Sequence, residues 1–159
     1  MNLQQQAKDA LANLTLGATF PQALTAEHDE QRLTCELVAL ESLACAFTHI
    51  SVQSDALADA TPQKLKDLGE LLSKRLSYLL EPITPIEVDR EQCVVQLRSN
   101  PPQQGDGASS YYELLVKKGG EISLRRYAKH KGQPRQVSPA HITREVLLRL
   151  VGDFSTVLK

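Results

Sequence analysis

The sequence predicts an α+β fold, in which an antiparallel sheet packs against helices. Two amphipathic helical patterns, over 62–80 and 138–158, flank a run of four strand patterns over 86–127. Strands that follow one another and are segregated from helices are typical of this class. The chain of 159 residues has the size of one domain, 1–159, large enough to bury a core without metal or disulfide links.

The first element is a short helix. Leu3, Ala7, Leu11 and Leu14 recur at helical spacing, with Asn2 as the expected N-cap. Gly17 is its expected stop. Residues 18–30, acidic and broken by Pro21, are predicted to form a loop.

The segment 32–53 supports two interpretations. Leu33, Cys35 and Leu37 alternate with polar residues, as in a strand, whereas Leu33, Leu37 and Leu40 also fit a helical stripe. The β-favouring residues of 47–52 tip the prediction toward a long strand or a hairpin that turns near 40–42.

A second helix begins at Thr61-Pro62, a capping hydroxyl followed by proline at the first helical position. Strands at 86–88, 93–98, 111–117 and 122–127 follow, with a turn-rich loop at 99–107. Gly119-Gly120 predicts a hairpin between the last two strands. The last helix is predicted to begin at Ser138-Pro139.

These elements predict a curved sheet of four to six strands against two long amphipathic helices, with a short extra N-terminal helix. The element order resembles helix-grip and TATA-binding-protein-like half domains, and it is also similar to the small type III secretion chaperones. The resemblance lies in element order alone, so it implies an arrangement of helices and strands and carries no function.

Composition indicates a soluble, cytoplasmic protein without a membrane partner. The apolar runs are far shorter than the ~18–20 residues that span a bilayer, and the N-terminus lacks the pattern of a secretion signal. The three cysteines, Cys35, Cys45 and Cys93, are isolated in apolar surroundings, which predicts reduced thiols.

The predicted hairpin places a charged pair on the sheet. A two-residue turn at Gly119-Gly120 would set Glu113 opposite Arg126, with Arg98 on a neighbouring strand. An arginine fork binds carboxylate or phosphate groups. The candidate ligand- or partner-binding residues are Arg98, Tyr112, Glu113, Arg125, Arg126 and Tyr127. A charge ladder on a partly solvated sheet explains the same residues without a ligand.

Charge is unevenly distributed along the chain. Residues 1–60 carry two cationic and eight acidic side chains, whereas residues 117–135 carry seven cationic and one acidic. Apart from Arg125 and Arg126, the cationic side chains of this basic segment are Lys117, Lys118, Lys129, Lys131 and Arg135. Their nearby tyrosines fit phosphate contacts and base stacking in nucleic-acid binding. The slightly acidic net charge of −1 argues against a dedicated nucleic-acid domain.

Enzyme signatures are missing from the sequence. It contains no phosphate-binding glycine loop and no nucleophile elbow, and its histidines lack metal-ligand spacing. We therefore expect no metal and no cofactor. The working hypothesis is a non-enzymatic binding module whose sheet face or groove holds a protein or a small acidic ligand.

Two alternatives stay open. One is nucleic-acid or phosphate-ligand binding through 117–135. The other is a small hydrolase or isomerase with Glu113 and Arg126 in a helix–sheet cavity. The sequence is compatible with a monomer and with a homodimer.

Overall fold

A computed structural model describes residues 1–16 and 18–159. Three helices, α1 (Leu3–Ala12), α2 (Pro62–Arg75) and α3 (Arg144–Val157), lie on one side of an antiparallel sheet. The ten strands of the sheet are β1 (Gln22–His28), β2 (Gln31–Leu40), β3 (Ala44–Ser54), β4 (Ile83–Asp89), β5 (Val94–Ser99), β6 (Gln103–Gly105), β7 (Ala108–Lys117), β8 (Glu121–His130), β9 (Gln136–Ser138) and β10 (Ala140–Thr143).

The predicted α+β class agrees with this structure, but the predicted sheet of four to six strands is wrong. Seven strands run in the order β1-β2-β3-β8-β7-β5-β4, and the short strands β10, β6 and β9 pair with β3, β7 and β8. Three of the missed strands have only three or four residues, too few for an alternating pattern to be visible.

Strand β1 was expected to be loop. Pro21 immediately precedes the strand and does not interrupt it, while Leu24 and Ala26 point toward the helices and Ala23, Thr25 and Glu27 are exposed. The hairpin interpretation of 32–53 is confirmed by β2 and β3, which pair from Gln31 with Ser54 to Leu40 with Cys45.

The helix starts follow capping chemistry. Asn2 caps α1, and the Thr61 hydroxyl accepts a hydrogen bond from the Lys64 amide at 3.2 Å at the start of α2. Helix α1 ends at Ala12; the expected stop, Gly17, lies outside the described residues.

The predicted start of the last helix at Ser138-Pro139 is wrong. Residues 140–143 form β10 instead, where Ala140 pairs with Phe47 and Ile142 with Cys45. Helix α3 begins only after Thr143, whose hydroxyl accepts from the Val146 amide at 3.1 Å. Pairing with a distant strand therefore overrides a locally valid helix start.

The core fills the space between the helices and the sheet. Helix α2 comes close to the sheet at Gly69, where a Cβ atom would lie 3.2 Å from Leu97 Cδ1. The buried residues of all three helices join those of the strands in one apolar cluster, which includes Phe47, Leu114 and Phe154. The opposite, outer face of the sheet has no helix over it within residues 1–16 and 18–159.

Candidate ligand-binding site on the outer sheet face

The predicted register of the β7–β8 hairpin is wrong by one residue. Three residues, Lys118 to Gly120, form the turn, so Glu113 lies opposite Arg125 and Tyr112 opposite Arg126. Gly119 and Gly120 have φ values of 89° and 75°, as the glycine signal predicted. Because side chains alternate between faces, Glu113 and Arg126 lie on opposite sides of the sheet.

Glu113 is the buried anion of the outer face. It is 5% exposed and accepts hydrogen bonds from Arg135 Nη1 at 2.6 Å and Gln96 Nε2 at 2.9 Å. The Arg135 guanidinium also stacks on Tyr127, with Cζ 3.8 Å from the ring centre. The hydrogen bond to Glu113 is the main cause that raises the pKa of Arg135. A buried carboxylate needs such compensation, so Glu113 is already paired within the chain.

Arg98 adds a second cation beside this pair. It is the cross-strand neighbour of Glu113, and its Cζ lies 4.5 Å from the centre of the Tyr111 ring. Its Nε is buried and has no hydrogen-bond partner among the described residues. The Arg98 guanidinium is therefore held by stacking and keeps donor capacity.

Arg125, on the neighbouring strand β8, also lies on the outer face and is exposed. No hydrogen bond or ion pair of Arg125 occurs within the described part of the chain, because its cross-strand partner Glu113 binds Arg135. Arg125 borders a cleft of about 740 Å³. The lining residues are Pro21, Gln22, Ala23, Thr34, Cys35, Glu36, Thr48, His49, Arg125, Val137 and Pro139.

The cleft lining combines polar groups with an imidazole. The Thr48 hydroxyl donates to Glu36 Oε1, and Glu36 lies opposite His49 across β2 and β3. Burial, followed by the charge of Arg125, lowers the pKa of His49 below its ordinary value. The lining also carries one guanidinium, of Arg125, and one carboxyl group, of Glu36, together with Pro21, Val137 and Pro139. Volumes of about 300–1,000 Å³ are usual for ligand sites.

Tyr112 and Arg126, two of the predicted site residues, belong to a different region. Arg126 donates to Glu81 at 2.8 Å and to Gln103 at 3.1 Å, and its Cζ lies 4.7 Å from the Tyr112 ring centre. Ser99 donates to the same Glu81 at 3.1 Å and accepts from the Tyr112 amide. This network ties β8 to the segment before β4, and all its charges are paired. The enzyme hypothesis requires Glu113 and Arg126 to lie in one cavity. The structure instead places them on opposite sides of the sheet.

The basic segment is divided by the hairpin. Lys117 and Lys118 lie at its turn, whereas Lys129 and Lys131 lie at its far end, roughly 26 Å away at ~3.3 Å per residue. Arg135 folds back onto Glu113. The cations of 117–135 therefore do not form one continuous patch.

Sequence reasoning missed Gln96, Glu36, Thr48 and His49 as outer-face residues. The alternation of β5 and β7 contained the signal for Gln96, which lies opposite Leu115 and contacts Glu113. The residues of β2 and β3 gave no such signal, because the register of their hairpin shifts between Glu36 and Leu37.

Within residues 1–16 and 18–159, no group of His, Cys, Asp and Glu side chains is arranged to hold a metal ion, and no helix is long and apolar enough to cross a bilayer. Comparison with protein families, with curated proteins and with solved structures gives no match.

Proposed function

We propose that the chain is a binding module that holds a carboxylate-bearing ligand, an acidic polypeptide segment, on the outer face of its sheet. The observation that carries this proposal is the exposed Arg125 guanidinium, which borders the cleft and has no carboxylate partner in the described ranges. An arginine fork in such a position binds a carboxylate with charge-assisted hydrogen bonds.

The neighbouring charges favour more than one carboxylate in the ligand. Arg98 lies two strands from Arg125, about 10 Å at ~4.8 Å between strands. Glu113 stands between them but is neutralised by Arg135. Two arginines on strands at this spacing fit acidic side chains about three residues apart in an extended peptide better than a single small anion.

The three unpaired thiols support a reducing, cytoplasmic setting for this module. Nucleic acid is less well supported, because the lysines of 117–135 are divided between the two ends of the hairpin.

The test is calorimetric titration at low salt with a hexaglutamate peptide, with glutarate and with single-stranded oligothymidine as separate probes. We expect the peptide to bind best, and Arg125→Gln to weaken it about tenfold, the loss of about 1.4 kcal/mol of a charge-assisted bond. Arg90→Gln, an exposed arginine of the β4–β5 turn, is the matched control and should leave binding unchanged.

Each probe separates one interpretation from another. Glutarate binding as tight as that of the peptide would indicate a small acidic ligand at the same site. Oligothymidine binding with a steep salt dependence would favour the nucleic-acid alternative. If Arg125→Gln and Arg90→Gln weaken the peptide equally, the site is not at Arg125 and the proposal fails.

A further inference from the structure

Strand β1 forms one end of the sheet, and its outer backbone edge pairs with no other strand within residues 1–16 and 18–159. Its seven residues pair with β2 in regular register, from Gln22 with Leu37 to His28 with Gln31. The strand contains no lysine, proline, glycine or bulge, features that normally prevent edge strands from pairing, and its one carboxylate, Glu27, lies near its end.

The opposite edge of the sheet is protected. Strand β4 contains Pro85, and its register with β5 shifts between Pro85 and Glu87. It also carries Glu87 and Asp89, so edge-to-edge pairing there meets a missing backbone donor and two acidic side chains. One edge of this sheet is thus blocked, while the other stays regular and open.

The sequence of β1 is complementary to itself. In an antiparallel pair centred on Thr25, the second Thr25 lies opposite the first, Leu24 lies opposite Ala26, and Ala23 opposite Glu27. Gln22 then faces His28. No like charges are opposed, and the two Glu27 side chains are about 13 Å apart at ~3.3 Å per residue, beyond the screening length of about 8 Å in physiological salt.

The same pairing keeps the two faces of the sheet consistent. Leu24 is buried on the helix side, whereas Thr25 and Glu27 are exposed on the outer side. Helix α1 packs on β1 from the helix side, so the two α1 helices flank the junction. In the paired strands, the helix-side residue Leu24 lies opposite Ala26, and the exposed Ala23 lies opposite the exposed Glu27.

We propose that β1 pairs antiparallel with β1 of a second copy of this chain, forming a homodimer with one continuous sheet. The pairing also bears on the cleft, because Ala23 lines it and the second copy's Glu27 lies next to Ala23. A carboxylate then bounds the cleft on its β1 side, which confines an anionic ligand to the Arg125 end. The dimer itself rests on the β1 edge alone and not on the proposed ligand.

The first experiment is light scattering on the ligand-free full chain at about 100 µM. We expect a mass twice the 17.6 kDa of one chain. Thr25→Lys opposes two ammonium groups at the centre of the pairing and should return the mass to that of a monomer with an unchanged circular dichroism spectrum. Glu87→Lys on β4 is the control and should stay dimeric.

The second experiment locates the junction by cross-linking. Opposed strand residues have Cα atoms about 4.5–5.5 Å apart, within the disulfide range of about 4.4–6.8 Å. With Cys93→Ser as background, Thr25→Cys should form a disulfide-linked dimer on mild oxidation, whereas Glu87→Cys should not. A monomeric wild-type chain would overturn the proposal, and so would a dimer that Thr25→Cys does not link.

Discussion

Glu113 and Arg125 are direct cross-strand partners, yet the Glu113 carboxylate binds Arg135, from the segment after β8, at 2.6 Å. The sheet therefore pairs its buried anion with an arginine from a connecting segment and leaves the arginine on the neighbouring strand exposed. This exchange of partners is the structural origin of the free guanidinium at the cleft.

The exchange predicts that Arg125 can replace Arg135. In Arg135→Gln, the buried Glu113 loses its cation, but Arg125 is close enough along the sheet to take its place. We expect the free energy of unfolding to fall by only about 1–2 kcal/mol, against about 3–5 kcal/mol when a buried charge is left wholly uncompensated. Peptide binding should be lost as well, because Arg125 is now occupied.

A double-mutant cycle checks this prediction by urea denaturation. Arg125→Gln alone should change stability little, since its guanidinium is exposed and unpaired in the described residues. The double variant Arg125→Gln/Arg135→Gln should cost more than the sum of the two single variants. Strict additivity would show that Arg125 does not reach Glu113.

Arg126 is predicted to act in stability and not in binding. Its side chain and that of Glu81 are only 12% and 17% exposed, so Arg126→Gln leaves a largely buried carboxylate without a cation. We expect a loss of about 2–4 kcal/mol of unfolding free energy, with the affinity for the hexaglutamate peptide unchanged. Arg126→Gln combined with Glu81→Gln should restore part of the stability. A stable Arg126→Gln variant with weakened peptide binding would contradict this assignment.

How much of this structure the sequence reveals depends on the range of the interactions. The start of α2 was predictable because Thr61 and Pro62 act on the helix that they begin. Ser138-Pro139 presents the same local signal for a helix start. Residues 140–143 nevertheless form a strand, because they pair with β3, almost a hundred positions away in the sequence. Such a long-range contact cannot be predicted from local capping residues.

The prediction of the candidate site depended on the length of the β7–β8 turn, which is one residue longer than assumed. The predicted register placed Arg125 and Tyr127 on the face opposite Glu113, whereas the structure places all three on the outer face. The assumed two-residue turn paired Glu113 with Arg126, whereas the actual three-residue turn places Arg126 on the helix side. The role of Arg135 was not predictable, because a connecting segment that folds back over a sheet leaves no periodic signal.

His49 predicts a pH dependence of stability. Burial, followed by the charge of Arg125, lowers its pKa in the folded chain, while in the unfolded chain it titrates near its ordinary 6.5. Between these two values the unfolded chain binds more protons, so unfolding free energy falls as the pH drops below about 6.5. Urea denaturation between pH 8 and 5 should show this fall, and His49→Gln should flatten it.

An anionic ligand on Arg125 raises the pKa of His49, so peptide affinity should increase toward acidic pH in wild type and not in His49→Gln.

Alanine substitutions at Gly119 and Gly120 distinguish the cost of a left-handed backbone from the cost of a steric clash in the β7–β8 turn. Both have positive φ, but a Cβ on Gly119 would meet its nearest atom at 3.8 Å, whereas one on Gly120 would lie 2.5 Å from the Ser54 carbonyl oxygen. Gly119→Ala should therefore cost only the left-handed backbone penalty of about 1–2 kcal/mol. Gly120→Ala should cost clearly more, because the Gly120 carbonyl also accepts from the Ser54 amide at 2.9 Å and the clash pushes β3 away from the hairpin. Thermal and urea unfolding of the two variants give the comparison, and equal losses would mean that backbone conformation alone, and not the approach to Ser54, requires glycine at 120.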